Sequence, residues 1–253
     1  MSTITAIIIN KKEDDDLEKC LKTTKQFSDE IIILDYLKSD KVMITCRDSK
    51  YIYIEVESAG IKKYLNKAIK GTQSDYLLFL NSNEYMSGQL RNSLVSVHGN
   101  MDCDAYRINV LKNYYGQWMK HAGLYPDFQI RLVKRQSGYH IEDKIERITI
   151  PGEIKKIDTI AGDLLCVQYR NIWKHIQTIN DITEAEANML YKERVKSNIL
   201  KMIFQPFSRF LSLFFVKMGF LDGFYGMTNA VISGYSFFLK QVKLRELWKN
   251  IEK

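Results

Sequence analysis

The sequence predicts an α/β fold that is followed by a helical C-terminal appendage. Over roughly the first 80 residues, short apolar runs typical of buried strands alternate with segments of helical periodicity. This alternation indicates a mainly parallel sheet with crossover helices. The predicted strands are residues 4–9, 30–34, 51–56 and 75–80, and the predicted helices begin near residue 17 and at residues 61 and 89.

The pattern changes from residue 105 onward. Strands are predicted at residues 105–109, 128–134 and 145–150, with loops between them, and a long amphipathic helix is predicted from Ile172. No internal repeat or Pro/Gly linker marks a domain boundary. The change to helical periodicity therefore places the division between residues 1–170 and residues 171–253.

Polar residues follow three of the predicted parallel strands. Asn10 ends the first strand, Asp35 ends the second, and Asn81 follows the fourth. Ligands of parallel α/β sheets bind beyond the carboxyl ends of the strands. These side chains therefore predict a ligand site at that edge, in the place where such sheets hold a nucleotide.

The C-terminal quarter carries the whole net positive charge of the chain. Residues 192–253 contain 11 Lys and Arg and 4 Asp and Glu. Their net charge of +7 equals that of the full sequence. Residues 199–253 are also rich in Phe, and we expect them to be helical. Three interpretations stay open: contact with an anionic membrane surface, packing in a core or dimer interface, and a true membrane span.

We favour the membrane surface, with Lys240, Lys243 and Arg245 among the contacting charges. Nucleic acid is excluded as a partner, because no zinc-binding, helix-turn-helix or RNA-binding signature accompanies the basic residues. The four scattered cysteines have neither disulfide nor metal spacing and indicate a reducing cytoplasmic compartment. The N-terminal apolar run, which has no basic region before it, is interpreted as a strand rather than a signal peptide.

Motifs along the chain resemble those of bacterial family 2 glycosyltransferases, in the branch associated with lipopolysaccharide-core and surface-glycan assembly. The most specific are residues 121–132 (HAGLYPDFQIRL) and residues 219–223 (GFLDG). Further matches are the turns at residues 10–13 and 35–40 and the helix that carries Asn66. They occur in the same order as in that family.

The resemblance implies a GT-A fold, the fold of nucleotide-diphospho-sugar transferases, over residues 1–170. Residues 171–253 would form a basic, aromatic, membrane-proximal segment. The implied partners are a nucleotide-sugar donor and a glycan or lipid-linked acceptor. The implied location is the cytoplasmic face of the cell membrane, with a homodimer or a partner transferase as possible assemblies.

The residues that hold a metal ion in this family are replaced here. The family carries D-A-D-E where this chain has residues 81–84 (NSNE), V-H-E-R where it has residues 144–147 (KIER), and a His where it has Cys166. Because Mg²⁺ prefers carboxylate ligands, we predict that the divalent metal cofactor is lost. Cationic side chains or helix N-termini would then neutralise the leaving diphosphate. The candidate side chains are Lys11, Lys12, Lys62, Lys63, Arg131 and Arg135.

Catalytic and binding roles follow from the matching motifs. Glu146 is the candidate general base toward an acceptor hydroxyl, unless it is only a surface residue of a strand. Asp127 is the alternative base, unless it only braces its loop. Asp35 would accept hydrogen bonds from the base or ribose of the donor, unless it caps its turn. The other predicted nucleotide-sugar-binding residues are Asn10, Glu13, Lys63, Asn66, Asn81, Ser82 and Asn83.

Two functions remain open from the sequence. The first is a metal-independent glycosyltransferase of cell-surface polysaccharide biosynthesis. The second is a catalytically degenerate relative that binds a partner transferase or the glycan-assembly machinery.

Overall fold

A computed structural model describes residues 2–11, 16–57, 61–141, 148–149 and 156–249 of the protein. The chain forms two compact units. Unit 1 contains Met1–Val110 and Asp127–Val167, and unit 2 contains Leu111–Pro126 and Gln168–Lys253. The predicted domain division at residue 170 stays a prediction.

Strands and helices alternate through the first half of the chain, and helices fill its C-terminal quarter. In chain order the elements are β1 (Ile4–Asn10), α1 (Leu17–Thr24), β2 (Glu30–Asp35), α2 (Asp40–Ser49), β3 (Ile52–Glu55), α3 (Ile61–Gly71), β4 (Tyr76–Asn81), β5 (Glu84–Met86), α4 (Gly88–His98), β6 (Ala105–Tyr114), β7 (Gln117–Met119), β8 (Phe128–Lys134), β9 (His140–Ile141), β10 (Ile148–Thr149), β11 (Ile157–Tyr169), α5 (Ile172–Lys192), α6 (Ile199–Leu211) and α7 (Gly223–Lys249).

Strand β1 is the centre of the parallel half of the sheet in unit 1. It pairs in parallel with β2 on one side and β4 on the other, and β2 pairs in parallel with β3. All seven residues of β1 are buried. Ile4, Ala6 and Ile8 pack into one apolar cluster, whereas Ile7 and Ile9 pack into a second. The β-branched run is therefore covered on both faces, as a central parallel strand requires.

The second half of the sheet is antiparallel. Strand β8 runs antiparallel to both β4 and β6, and β11 runs antiparallel to β5. The order across the sheet is β3-β2-β1-β4-β8-β6-β11-β5. The predicted α/β class with a C-terminal helical region is confirmed, and a parallel half joined to an antiparallel half is the arrangement expected of a GT-A fold.

Most of the predicted elements are present, and two differences have a physical reason. Helix α2 was not predicted, because only Val42 and Cys46 of its ten residues are buried; Asp40, interpreted as a turn residue, is its first residue. The 13-residue strand β11 was also missed, because exposed, half-buried and buried positions follow one another irregularly along it. Of the predicted strand at residues 145–150, the described part is β10.

Unit 2 contains the predicted C-terminal helices. Helix α6 continues into a π-helical turn at Ser212–Val216, and a 3-10 turn at Gly219–Asp222 leads into α7. Helices α6 and α7 approach closely at Gly234, where an added Cβ would lie 2.8 Å from the carbonyl oxygen of Pro206. At the start of α5, His175 stacks on Tyr169 with 3.9 Å between the ring centroids, and burial lowers the pKa of His175 to about 4.

The position of Gly162 yields a stability test in unit 1. Its φ of +101° disfavours other residues, and an added Cβ would lie 2.3 Å from the backbone nitrogen of Leu90. We expect Gly162→Ala to lower the free energy of unfolding by more than about 2 kcal/mol, because strain and overlap add. Gly138→Ala is the matched control, since Gly138 has a φ of +74° with nothing within 4 Å. Equal shifts of the two urea midpoints would contradict the overlap at Gly162.

Candidate functional site

The polar residues that end β1, β2 and β4 meet at one edge of the sheet in unit 1. The parallel register places Asn10 beside Asp35 and Ile9 beside Asn81. The Asn10 Nδ2 donates a hydrogen bond to the Asp35 Oδ1 at 2.9 Å. The structure thus brings together three sequence-predicted residues, Asn10, Asp35 and Asn81, which we call the polar row.

Asp35 is fully buried and organises the turn that follows β2. Besides the bond from Asn10, its carboxylate accepts hydrogen bonds from the backbone nitrogens of Leu37 and Ser39 at 3.0 and 2.9 Å and from the Tyr53 hydroxyl at 3.1 Å. Burial and the neighbouring carboxylate raise the pKa of Tyr53. These are the turn-capping contacts that the sequence also allowed, and the donor contact of Asp35 stays a prediction.

Glu84 forms a buried ion pair with Arg131. The Arg131 Nη2 lies 2.6 Å from the Glu84 Oε1, and the backbone nitrogen of Asn81 donates to the Glu84 Oε2 at 2.8 Å. Glu84 is 2% exposed and Arg131 is 7% exposed. The Arg131 Nε is also buried and has no hydrogen-bond partner among the described residues. Arg131 therefore compensates the buried negative charge of Glu84 through its Nη2.

Asn83 and Cys166, two positions at which the resemblance implies metal ligands, lie together. The Asn83 Nδ2 donates to the Val167 carbonyl oxygen at 2.8 Å and lies 3.6 Å from the Cys166 Sγ. Cys166 is also paired with Glu84 across β11 and β5. The structure thus juxtaposes residues that are 83 positions apart in the chain.

These side chains do not fit a divalent cation. Mg²⁺ and similar ions need carboxylates beside the phosphates, and Glu84 is the one carboxylate of residues 81–84. Both of its oxygens already have partners in Arg131 and the Asn81 backbone. In the described part of the chain, no group of three or more His, Cys, Asp or Glu residues is placed to hold a metal ion.

Asp127, the alternative base, lies in a hydrogen-bonded chain at the start of β8. Its backbone nitrogen donates to the Asn109 Oδ1 at 2.7 Å, and its Oδ2 accepts from the Gln129 Nε2 at 2.7 Å. The Asn109 Nδ2 in turn donates to the Asp163 Oδ1 at 2.7 Å. Asn109 and Asp163 were missed from the sequence, although a buried amide in an apolar strand was the available signal.

The remaining predicted residues are more scattered. Ser82 is buried, and its backbone nitrogen donates to the Ile9 carbonyl. Lys63 and Asn66 are exposed on α3, and no hydrogen bond among the described residues joins them to the polar row. Arg135 bonds the Ser74 carbonyl at the amino end of β4 and so lies at the opposite edge. Glu13 and Glu146 lie outside the described residues.

Sequence relatives cover nearly the whole chain. An uncharacterized glycosyltransferase of Rickettsia typhi is 23% identical over 258 residues, which cover 98% of this chain and 88% of the relative. One from Rickettsia bellii is 22% identical, with 96% and 86% covered. No protein-family model matches the sequence. The chain is thus similar along nearly its full length to proteins that carry a glycosyltransferase name.

Two solved structures show a weaker likeness. S. aureus TarS 1–349 in complex with UDP-GlcNAc has a TM-score of 0.48 at 10% identity, covering 98% of this chain and 92% of that one. The mannosyltransferase PcManGT from Pyrobaculum calidifontis, in complex with GDP-Man and Mn²⁺, has a TM-score of 0.49 at 11% identity, covering 97% and 87%.

The buried ion pair predicts a large effect on stability. Glu84→Gln leaves the Arg131 charge buried without its partner, and we expect the free energy of unfolding to fall by about 3–5 kcal/mol. Adding Arg131→Met should recover most of the loss, because it removes the uncompensated charge. Urea unfolding of both single variants and the double variant measures the coupling. Additive losses would show that the two side chains do not interact.

The metal prediction concerns residues 81–84 and Cys166. We expect no Mn²⁺ to bind there in the native protein, because positions 81 and 83 carry Asn rather than Asp. Calorimetry with and without UDP measures this binding. Asn83→Asp combined with Cys166→His supplies two of the ligands that the family uses, and this variant should bind Mn²⁺. Asn92→Asp with Cys103→His is a control of the same composition elsewhere in unit 1. Tight Mn²⁺ binding that native protein shows and Asn83→Ala loses would overturn the prediction.

Proposed function

We propose that this protein is a glycosyltransferase that moves a sugar from a nucleotide-sugar to a lipid-linked or membrane-proximal glycan acceptor, in cell-surface polysaccharide biosynthesis at the inner face of the membrane. The observation that carries the proposal is the polar row, because it stands where parallel sheets bind their ligands. The Rickettsia relatives, which carry a glycosyltransferase name over their aligned length, support sugar transfer as the reaction.

The proposed reaction needs positive charge but not a metal ion. As the bond between the sugar and the diphosphate breaks, negative charge grows on the leaving diphosphate, and a transferase must stabilise it. The residues around Glu84 supply no suitable metal ligands. Lys11 and Lys63 are the cations we assign to this role. Lys11 follows Asn10 directly, and its ammonium lies 5.0 Å from the centre of the Tyr36 ring.

Asp127 is the acceptor-side base that the structure supports. A general base must be held in a fixed position within hydrogen-bonding distance of the acceptor hydroxyl. Asn109 holds the Asp127 backbone, and Gln129 holds one carboxylate oxygen. Glu146 remains the other candidate from the sequence resemblance.

The loss of metal ligands also favours a second function, a degenerate relative that binds a partner of the glycan-assembly machinery. The two functions differ in their need for a nucleotide-sugar. A transferase must bind its donor, whereas a scaffold has no use for one.

Donor binding is the decisive measurement. We expect calorimetry to show binding of at least one of UDP, GDP and their sugars without Mn²⁺, and Lys63→Ala to weaken it about tenfold, since bonds to charged groups contribute about 1.5–3 kcal/mol. Lys67→Ala, which removes another exposed lysine of α3, should leave the affinity unchanged. If no nucleotide or nucleotide-sugar binds with or without Mn²⁺, the scaffold function stands instead.

A further inference from the structure

One face of α6 and its π-helical extension is exposed and apolar. Its members recur at helical spacing on the side away from α7, and we call them the α6 face: Leu200, Ile203, Phe204, Phe207, Leu211 and Phe215. Phe204 is 65% exposed and Phe207 is 64% exposed. Contiguous exposed apolar surface of this kind marks an interaction site.

The other side of α6 packs against α7. The α6 face is therefore not the side through which this helix joins the core of unit 2. Gly234 of α7 touches the Pro206 carbonyl, and the guanidinium of Arg209 lies 5.9 Å from the centre of the Phe237 ring. The backbone nitrogen of Asn198 also donates to the Gln241 Oε1 at 3.4 Å. Helix α6 is thus packed on α7 with its aromatic side exposed.

The segment of chain that carries this face is uniformly basic. Residues 194–221 contain five Lys and Arg and no Asp or Glu. Lys196, Lys201 and Lys217 are exposed among them. A second copy of the chain would bring like charges together on this face. Exposed Phe flanked by Lys is instead complementary to a bilayer with anionic headgroups.

The orientation of α6 relative to a membrane follows from the hydrogen bonds at the end of its helical segment. By length and composition, Ile199–Val216 is apolar enough to cross a membrane, the one such helical segment among the described residues. However, Asp222 accepts hydrogen bonds from the backbone nitrogens of Lys120 and His121 at 3.2 and 2.8 Å, and Ala122 donates to the Lys217 carbonyl. Crossing would carry this polar loop and its charges into the hydrocarbon, at a high cost.

We propose that the α6 face inserts into the interface of an anionic lipid bilayer, with α6 lying in the membrane plane. The inference deepens the membrane location of the proposed function, because it names the surface that makes the contact, and this docking does not depend on sugar transfer. It also changes which basic residues are expected to contact the membrane. Lys240 pairs with Glu186 at 3.0 Å, and Lys243 donates to the Asn180 carbonyl at 2.6 Å, so both face α5.

The test is co-sedimentation of the full chain with phosphatidylcholine vesicles, with and without phosphatidylglycerol. We expect binding only with the anionic lipid, and release by high salt or alkaline carbonate. Phe204→Ser with Phe207→Ser should weaken binding more than about tenfold, because two large apolar side chains no longer insert. Val95→Ser, which alters an equally exposed apolar residue of α4, should have no effect.

Charge reversal tests the second half of the proposal. Lys201→Glu with Lys217→Glu should weaken binding to anionic vesicles more than about tenfold, because each basic residue at such a surface contributes about fivefold. Lys22→Glu with Lys25→Glu makes the same charge change on exposed residues at α1 and should leave binding intact.

Three outcomes would overturn membrane docking through the α6 face. They are no binding to anionic vesicles, binding that the Phe variants retain, and a lipid-free dimer, seen by analytical ultracentrifugation, that those variants abolish. Retention in the membrane after carbonate treatment would show a crossing helix instead. Donor binding is measured without lipid, so failure of membrane docking and failure of the proposed function give different results.

Discussion

The arrangement of the candidate site depends on the complete burial of β1 between β2 and β4. Its residues divide between two apolar clusters, Ile4, Ala6 and Ile8 on one face and Ile7 and Ile9 on the other. A slip of one residue would exchange these sets and misplace every side chain, so packing specifies the register. The same register sets Asn10 beside Asp35. The ligand edge is therefore a consequence of how the hydrophobic core is packed.

The ion pair with Arg131 gives the buried carboxylate of Glu84 a structural role. A buried charge is tolerated only with a partner and further hydrogen bonds. Glu84 has both, since Arg131 lies 2.6 Å from one oxygen and the Asn81 backbone donates to the other. Glu84 thus joins the end of β4 to β8 whether or not a cation is bound.

Much of the fold was predictable because its signals are local. Uninterrupted β-branched runs indicated β1 and β2, and periodic apolar residues indicated α3 and α5. Helix α2 has only two buried residues and no comparable pattern. The site was less predictable because its contacts are distant in sequence: Tyr53 reaches Asp35 across 18 residues, and Arg131 reaches Glu84 across 47. The sequence motifs include Asp35, Glu84 and Arg131, but they did not predict that Arg131 pairs with Glu84 or that Tyr53 bonds Asp35.

Asn83 and Cys166 are chemically matched to each other. The Asn83 amide donates to the Val167 carbonyl, and the Cys166 thiol lies beside it. An Asp at position 83 would set a carboxylate oxygen against that carbonyl, which only a cation or a proton between them would relieve. Asn83 and Glu84 both have hydrogen-bond partners, whereas the Nε of Arg131, which pairs with Glu84, is buried without one among the described residues. The contacts of Asn83 and Glu84 are therefore complete without a metal ion, and this packing is compatible with both proposed functions.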